Sequence, residues 1–330
     1  MAINVIHYRQ GGEALWGVAR AGSITPIPGS YATTRDFLRE GAAEARAVAA
    51  RLPVGEALSP RSVELLCPIT RNQQFICQGI NYRSHMRESG LDPERASFNM
   101  IFRKASSCLA PADTDIVRPA HVRLLDYEVE IGLVVGRDLD GPVAVTEENL
   151  HHYVAALVLV NDVSARDVQL LQTQFYKGKS YRTFGPVGPY LTLVDAADLA
   201  RFASLRLSLR VNDEIRQDSL AEDMIFTPAP TLTELSALQD LSTGDLIATG
   251  TPGGCALRAP GGLALLVGKL LPDHVKWANF VKMNAGNPRF LRPGDRVKAA
   301  IRTDDGAIDL GVQENTVVAP REERLTSAAA

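Results

Sequence analysis

The amino-acid sequence predicts an α+β protein in which β structure predominates. Short runs rich in β-branched and aromatic residues recur from Phe75 onward, and clusters of Gly, Pro, Asn and Asp separate them. Helical periodicity is confined to a few weak stretches, so a doubly wound α/β fold, which alternates strands with helices, is disfavoured. The clearest strand-like runs are residues 75–77, 127–135, 155–161, 190–194, 205–211, 245–248 and 296–301.

The beginning of the chain differs from the rest and predicts a small N-terminal α+β domain that is rich in β structure. Two strand-like runs, residues 3–8 and 16–19, are separated by a Gly-Gly turn. Thr33 or Thr34 is suited to cap a helix that continues to about Arg51. The predicted division is a domain of residues 1–70, a main domain of residues 71–318 and a flexible tail of residues 319–330.

Composition and charge exclude several classes of function. Of the 330 residues 45% are hydrophobic, and 35 basic against 38 acidic residues give a net charge of −3. This balance offers no basic surface for nucleic acid and no polybasic segment for a membrane, so neither partner is expected. The four cysteines are scattered, and no secretion signal or membrane-spanning run is recognisable, so a cytoplasmic location is expected.

An acidic strand carries the first functional signal. Alternation along residues 126–131 places the carboxylates of Asp126, Glu128 and Glu130 on one face. A solvated strand face is the simplest interpretation. Against it, residues 132–135 continue the strand with apolar or small side chains, and like charges two residues apart repel unless something neutralises them. A bound cation would do so.

The spacing of these carboxylates suits a hard metal ion. Glu128 and Glu130 lie about 7 Å apart along a strand, within convergence range of two flexible side chains. A third ligand is expected at Asp162, which follows the apolar run 154–160, although an aspartate in such a position is often only a turn residue or a helix cap. Ligation by oxygen alone favours Mg²⁺, with Mn²⁺ or Ca²⁺ as alternatives, over Zn²⁺.

His85 and Glu88 form a second candidate pair. If their polar segment forms a helical turn, the two side chains are close enough to hydrogen-bond, and the glutamate would orient the imidazole and stabilise its protonated form. An exposed surface pair is the competing interpretation, and spacing alone does not decide between them.

Two turn-rich segments contribute further candidates. Lys179 precedes a Gly-Pro-rich stretch that could bring its charge against a developing oxyanion, and Thr251 lies in a tight loop after an apolar strand. An exposed lysine and an ordinary turn are the default interpretations. The glycine spacing of a phosphate-binding loop is absent, as are G-x-S-x-G, H-E-x-x-H and G-x-G-x-x-G motifs.

Taken in order, these segments resemble the fumarylacetoacetate hydrolase family, in particular its catalytic C-terminal domain. The resemblance covers roughly residues 72–254 and resumes at 290. Its motifs are Gly79-Ile80-Asn81-Tyr82 with His85 and Glu88, and residues 126–136, 161–169, 178–180, 185–189, 211–214, 244–245, 249–252 and 290–295.

The resemblance implies a mixed β-sheet roll that is usually homodimeric. It also implies a divalent ion on Glu128, Glu130 and Asp162, with Asp126 outside the coordination sphere. In the family pattern His85 and Glu88 are a base dyad on a lid-like segment. Lys179 then supports an oxyanion, and the expected substrate contacts are Tyr82, Lys104, Arg166, Gln169 and Thr251.

The main departure from the family is an insertion over about residues 255–289. Within it, residues 273–284 have an amphipathic pattern that predicts a helix. The insertion begins at the expected substrate wall, so it is expected to alter the pocket or a dimer contact.

The function expected from these features is metal-dependent hydrolysis of a carbon–carbon bond in a small 1,3-diketone or acylpyruvate through a stabilised enolate. One alternative uses the same metal site for decarboxylation of an oxaloacetate-type acid or for keto–enol isomerisation. A second alternative is a non-catalytic binding protein that a metal ion stabilises.

Overall fold

The computed structural model describes residues 1–51, 58–171, 174–258 and 272–320. The predicted α+β class with predominant β structure is confirmed: short helices connect and cover extended mixed sheets. The strands are β1 Ile3–Gln10, β2 Glu13–Arg20, β3 Ser23–Pro26, β4 Glu64–Leu65, β5 Phe75–Gly79, β6 Met100–Lys104, β7 Leu109–Ala110, β8 Ile116–Val117, β9 Leu125–Asp126, β10 Val129–Val135, β11 Val154–Asn161, β12 Ser164–Ala165, β13 Gly185–Pro186, β14 Tyr190–Leu193, β15 Leu205–Val211, β16 Glu214–Leu220, β17 Leu246–Ala248, β18 Arg296–Thr303 and β19 Asp309–Val318.

The helices are mostly one or two turns long. The α-helices are α1 Thr34–Asp36, α2 Ala42–Arg51, α3 Arg83–Glu88, α4 Arg166–Gln169, α5 Tyr176–Lys179, α6 Ala196–Leu199, α7 Pro228–Leu238 and α8 Asp273–Asn284. A π-turn over Phe37–Gly41 joins α1 to α2, so the predicted helix from Thr34 to Arg51 is present as one interrupted segment. The Thr33 side chain caps it by accepting a hydrogen bond from the Asp36 backbone N–H at 3.1 Å.

The N-terminal strands are part of the largest sheet. β1 and β2 form a hairpin, and β1 also pairs antiparallel with β14. In the described residues ten strands form this sheet in the order β3-β2-β1-β14-β11-β10-β17-β5-β6, with β4 also paired to β1. The segment before residue 70 therefore shares its sheet with the main domain, and a boundary at residue 70 stays a prediction.

A second sheet of five described strands, in the order β16-β15-β18-β19-β8, packs against the first. β15 directs alternate leucines inward, at positions 205, 207 and 209. Gln313 of β19 ties the sheets together, because its Nε2 donates to the carbonyl of Leu159 in β11 at 2.9 Å. The central strands β10 and β11 therefore lie in the protein interior.

The insertion is described in part. Residues 255–258 and the segment from 272 onward are described, whereas 259–271 lie outside the described residues, as do residues 321–330 of the predicted tail. The helix predicted for residues 273–284 is present as α8. In the described part of the chain, every helix is too short or too polar to cross a bilayer.

His7 of β1 makes stability depend on pH. Its ring stacks on Trp16 at a centroid distance of 4.3 Å, and its Nδ1 lies 2.8 Å from the carbonyl of Cys67. Burial lowers the pKa of His7. His7 therefore binds a proton more readily in the unfolded chain than in the folded one. The contribution of the neutral His7 ring to the free energy of unfolding is complete above about pH 6.5 and is lost as the pH falls.

We expect His7→Phe, which keeps an aromatic ring against Trp16, to weaken the loss of stability between neutral and mildly acidic pH. The measurement is the free energy of unfolding from urea titrations at a series of pH values. Above neutral pH the curves of variant and wild type should run parallel, because His7 is neutral in both states. Parallel curves throughout the acidic range would show that His7 is not the group responsible.

Candidate metal centre and active site

The three carboxylates predicted to bind metal lie together at one end of the β10–β11 pair. Oxygen atoms of Glu128, Glu130 and Asp162 are all within 4.8 Å of one another, and all three side chains are buried. Glu130 belongs to β10, Glu128 precedes that strand, and Asp162 follows β11. The arrangement satisfies the distance that a shared cation requires.

Strand register is what brings Asp162 to the two glutamates. Val129 of β10 stands opposite Asn161 of β11, so the chain leaves β11 beside Glu128. The Asp162 backbone N–H donates to the carbonyl of Glu128 at 2.8 Å, and the Glu128 N–H donates to Asn161 Oδ1 at 3.1 Å. These hydrogen bonds thus fix the approach of two candidate ligands that are far apart in sequence.

Glu130 is the carboxylate most in need of a cation. Its Oε2 accepts a hydrogen bond from the Gly250 N–H at 2.9 Å. Burial first, and then the charges of Asp162 and Glu128, raise its pKa well above the ordinary value. A bound divalent ion would reverse this shift, and the all-oxygen donor set fits Mg²⁺, Mn²⁺ or Ca²⁺.

Two buried lysines face the other two carboxylates. Lys179 of α5 donates to Asp162 Oδ2 at 2.6 Å and also to Glu128, and Lys104 of β6 contacts Asp162 and donates to the carbonyl of Phe184 at 2.7 Å. Burial opposes the charged form of Lys179, but Asp162 and Glu128 outweigh it and raise its pKa. The default interpretation of Lys179 as an exposed lysine is therefore wrong, because the carboxylates stabilise its charge inside the protein.

Arg166 connects the metal centre to its surroundings. Its guanidinium contacts Glu128, donates from Nε to Asp126 at 2.9 Å and from Nη1 to Gln169 at 2.9 Å. Burial would raise the pKa of Glu128, but the charges of Arg166 and Lys179 hold it below the ordinary value. Asp126 lies outside the carboxylate triad, where it accepts hydrogen bonds from the backbone of residues 256 and 257.

His85 lies beside the candidate metal centre with its ring buried, so the interpretation as an exposed surface pair does not hold for this residue. A ring nitrogen of His85 lies within 4.8 Å of a Glu128 oxygen. Burial lowers the pKa of His85, and its Nδ1 has no hydrogen-bond partner among the described residues. Burial thus favours the uncharged form of the ring, one nitrogen of which is without a partner in the described part of the chain.

Glu88 has partners other than His85. Its Oε2 accepts a hydrogen bond from the Gly254 N–H at 2.7 Å, and its Oε1 lies 3.7 Å from Arg258. The hydrogen bond that helical spacing suggested between Glu88 and His85 is replaced by these contacts, because the loop after β17 closes over α3. Their role as a base dyad stays a prediction.

The predicted substrate contacts Tyr82 and Thr251 lie deep in the same region. Tyr82 is fully buried and precedes α3. Thr251 donates to the carbonyl of Val129 at 2.9 Å and accepts from Gln217 Nε2 at 2.9 Å, so its hydroxyl secures the loop after β17 to β10. The contact of Tyr82 and Thr251 with substrate stays a prediction.

Sequence reasoning did not identify two neighbours of the centre. Gln217 is buried within β16 and donates to the loop that contains Thr251. Cys255, one of the four scattered cysteines, lies with its Sγ 3.9 Å from Glu128 Oε1. A polar residue in an otherwise ordinary strand and a cysteine just after a glycine-rich loop were weak signals, because neither has a motif of its own.

Such a centre within a mixed β-sheet roll defines the class of protein. The family model described as Fumarylacetoacetate (FAA) hydrolase C-terminal matches residues 74–318. The chain belongs to this family, and the resemblance noted in the sequence is confirmed; members of the family are enzymes that include hydrolases and tautomerases.

Similar proteins with names extend this comparison. Oxaloacetate tautomerase FAHD2A of Bos taurus, a mitochondrial protein, is 32% identical over 294 residues, which are 87% of this chain and 80% of the relative. Oxaloacetate tautomerase YisK of Bacillus subtilis is 34% identical over 243 residues, 72% of this chain and 70% of the relative. The structure of a fumarylacetoacetate hydrolase from Exiguobacterium antarcticum superposes with a TM-score of 0.71 at 30% identity, covering 96% of this chain and 100% of the other.

Glu130→Gln tests the metal centre through stability. After treatment with a chelator at pH 8, we expect the Glu130→Gln variant to have a higher unfolding temperature than wild type. The raised pKa of Glu130 means that its ionisation disfavours the folded state increasingly as the pH rises above about 4.3. Saturating Mg²⁺ or Mn²⁺, at about 100 times its Kd, should stabilise wild type by about 2.7 kcal/mol and the variant by much less.

Glu314→Gln is the matched control, because Glu314 pairs with Arg296 at the surface far along the chain from the triad. It should respond to metal as wild type does. Equal stabilisation of all three proteins by metal would place the ion elsewhere.

Proposed function

We propose that this protein is a metal-dependent tautomerase that interconverts the keto and enol forms of a small 2-oxo dicarboxylate such as oxaloacetate. The observation that carries the proposal is a buried His85 beside the carboxylate triad, whose Nδ1 has no hydrogen-bond partner among the described residues, while Glu88 is held by the backbone of Gly254. A single base beside a metal centre is sufficient for proton transfer. The relatives named as oxaloacetate tautomerases favour the same reaction.

The reaction requires only the movement of a proton. His85 removes a proton from the carbon next to the 2-oxo group and a proton is added to the oxygen, while the π bond moves from C=O to C=C, so no σ bond between heavy atoms breaks. When bound, the divalent ion supplies the Lewis acid that makes this carbon acidic. Lys179 and Lys104 are buried cations in contact with Asp162, and their charge would stabilise a substrate oxygen that becomes more negative beside the triad.

Hydrolysis of a carbon–carbon bond in an acylpyruvate or 1,3-diketone is the second candidate. One observation favours it: burial lowers the pKa of His85, but the negative charges of Glu128 and, less strongly, of Glu88 act in the opposite direction and would stabilise the imidazolium that water activation produces. The related fumarylacetoacetate hydrolase of Exiguobacterium antarcticum is consistent with this reaction. Decarboxylation of oxaloacetate and a non-catalytic, metal-stabilised role are the remaining alternatives.

Assembly and location are part of the proposal. We propose a cytoplasmic homodimer that acts on a small dicarbonyl substrate, with Mg²⁺ as its ion. The metal preference is supported by the oxygen-only triad. Among the relatives, FAHD2A of Bos taurus is mitochondrial, whereas the Bacillus subtilis enzyme comes from an organism without that compartment.

We expect His85→Ala to lower the rate of keto–enol exchange of oxaloacetate by about 10²- to 10⁴-fold, the usual contribution of a general base. Proton NMR in D₂O, in the presence of Mg²⁺, follows both the two tautomers and deuterium uptake at the carbon next to the 2-oxo group. The exposed histidine variant His151→Ala is the control and should retain the wild-type rate. An unchanged rate in folded His85→Ala would remove His85 from the reaction.

Product analysis separates the candidate reactions. We expect wild type with Mg²⁺ to equilibrate the tautomers of oxaloacetate without releasing CO₂, and to leave acylpyruvates uncleaved over the same time. Mass spectrometry of the products measures both. Release of pyruvate and a carboxylic acid from an acylpyruvate at a higher kcat/KM would favour hydrolysis, and pyruvate formed from oxaloacetate would favour decarboxylation. No turnover with any compound would favour the non-catalytic role.

A further inference from the structure

We propose a second metal site, formed by His85, Glu128 and Cys255, which binds a thiophilic divalent cation such as Zn²⁺ or Cd²⁺ and inhibits the enzyme. One ligand atom from each residue lies within 4.8 Å of the other two, and all three side chains are buried. The site shares Glu128 with the carboxylate triad but uses neither Glu130 nor Asp162.

The donor atoms set this site apart from the triad. Imidazole nitrogen, thiolate sulfur and one carboxylate oxygen suit Zn²⁺ and softer ions, whereas three carboxylates suit Mg²⁺ and similar hard ions. Three protein ligands leave the fourth tetrahedral position for water. The two sites therefore discriminate between two classes of metal within one pocket.

Two independent observations support an ion here. The Nδ1 of the buried His85 has no partner among the described residues, although buried ring nitrogens normally have one. Cys255 Sγ is already directed at the cluster, since it lies 3.9 Å from Glu128 Oε1 and 3.8 Å from Gln217 Nε2. An ion bound here would replace these long contacts of the thiol and would take a ring nitrogen of His85 as a ligand.

The backbone on each side of Cys255 is held in place. The Gly254 N–H donates to Glu88 at 2.7 Å, and the Ala256 N–H donates to Asp126 at 2.8 Å. Gly254 has a φ of +106°, and a side chain there would collide with the carbonyl of Arg216. The sulfur is thus positioned before any ion arrives. On binding, a metal–sulfur bond forms and the thiol proton leaves to solvent.

Sharing of Glu128 makes the two sites mutually exclusive. A thiophilic ion on Glu128 and His85 removes one ligand from the triad and occupies the base proposed for proton transfer. Inhibition should therefore be relieved by a chelator and should weaken as Mg²⁺ is raised. Binding itself does not depend on the reaction that the protein catalyses.

The test is a titration of the chelator-treated full-length protein with Cd²⁺ alone, followed by the ultraviolet charge-transfer absorption of a cadmium–thiolate bond. We expect the band to saturate at one equivalent in wild type and in Cys67→Ser, which removes a half-buried cysteine outside the cluster. Cys255→Ser should abolish the band. Glu130→Gln should keep it, whereas Glu128→Gln and His85→Ala should raise the Kd by at least about 10-fold.

Circular dichroism and the unfolding temperature establish that each variant is folded, and Cys255→Ala replaces Cys255→Ser if the serine variant is not. A band that persists without Cys255, or that is lost in Glu130→Gln but kept in Glu128→Gln, overturns the proposal, as does its absence in wild type. The band is read without substrate. The cadmium titration can therefore be interpreted even if the protein has no tautomerase activity. Conversely, the absence of the band would not count against the proposed tautomerase activity.

Discussion

The rest of the structure depends on a cluster of opposite charges buried in the protein interior. An unpaired ion in the interior costs several kcal/mol, so an ionised group here requires a counter-charge within contact distance, and Glu130, which has none among the described residues, has a raised pKa instead. Lys179 satisfies this requirement for Glu128 and Asp162 together, and Arg166 joins Glu128 to Asp126. In the described residues, the cluster comprises the carboxylates Asp126, Glu128, Glu130 and Asp162 and the cations Lys104, Arg166 and Lys179.

The register of β10 against β11 brings these charged side chains together. A shift of one residue between β10 and β11 would turn Glu130 to the other face of the sheet and separate it from Asp162. Gly132 supports the register, because a Cβ there would lie 2.6 Å from Val158 and 2.7 Å from Leu246 on the neighbouring strands. The position of the carboxylates thus depends on the tight packing of β10 between β11 and β17.

The loop after β17 closes over α3 and contacts three glutamates of the site. This loop supplies the Gly250 N–H to Glu130, the Gly254 N–H to Glu88 and the sulfur of Cys255 beside Glu128. The loop therefore contacts a carboxylate of the candidate metal site, holds Glu88 away from His85 and places a thiol beside Glu128. The insertion begins at this loop, so its first residues belong to the site rather than to a separate surface.

The sequence by itself determined the class of fold, most strand positions and the acidic residues, because strand periodicity and runs of like charge are local properties. Helix α8 and the capped helix after Thr33 were predictable for the same reason. Only the tertiary structure decided that His85 and Lys179 are buried, that Glu88 binds the backbone of Gly254, and that Cys255 faces Glu128. These contacts join segments that are distant in sequence, and their energies depend on burial and on neighbouring charge, which no local pattern encodes.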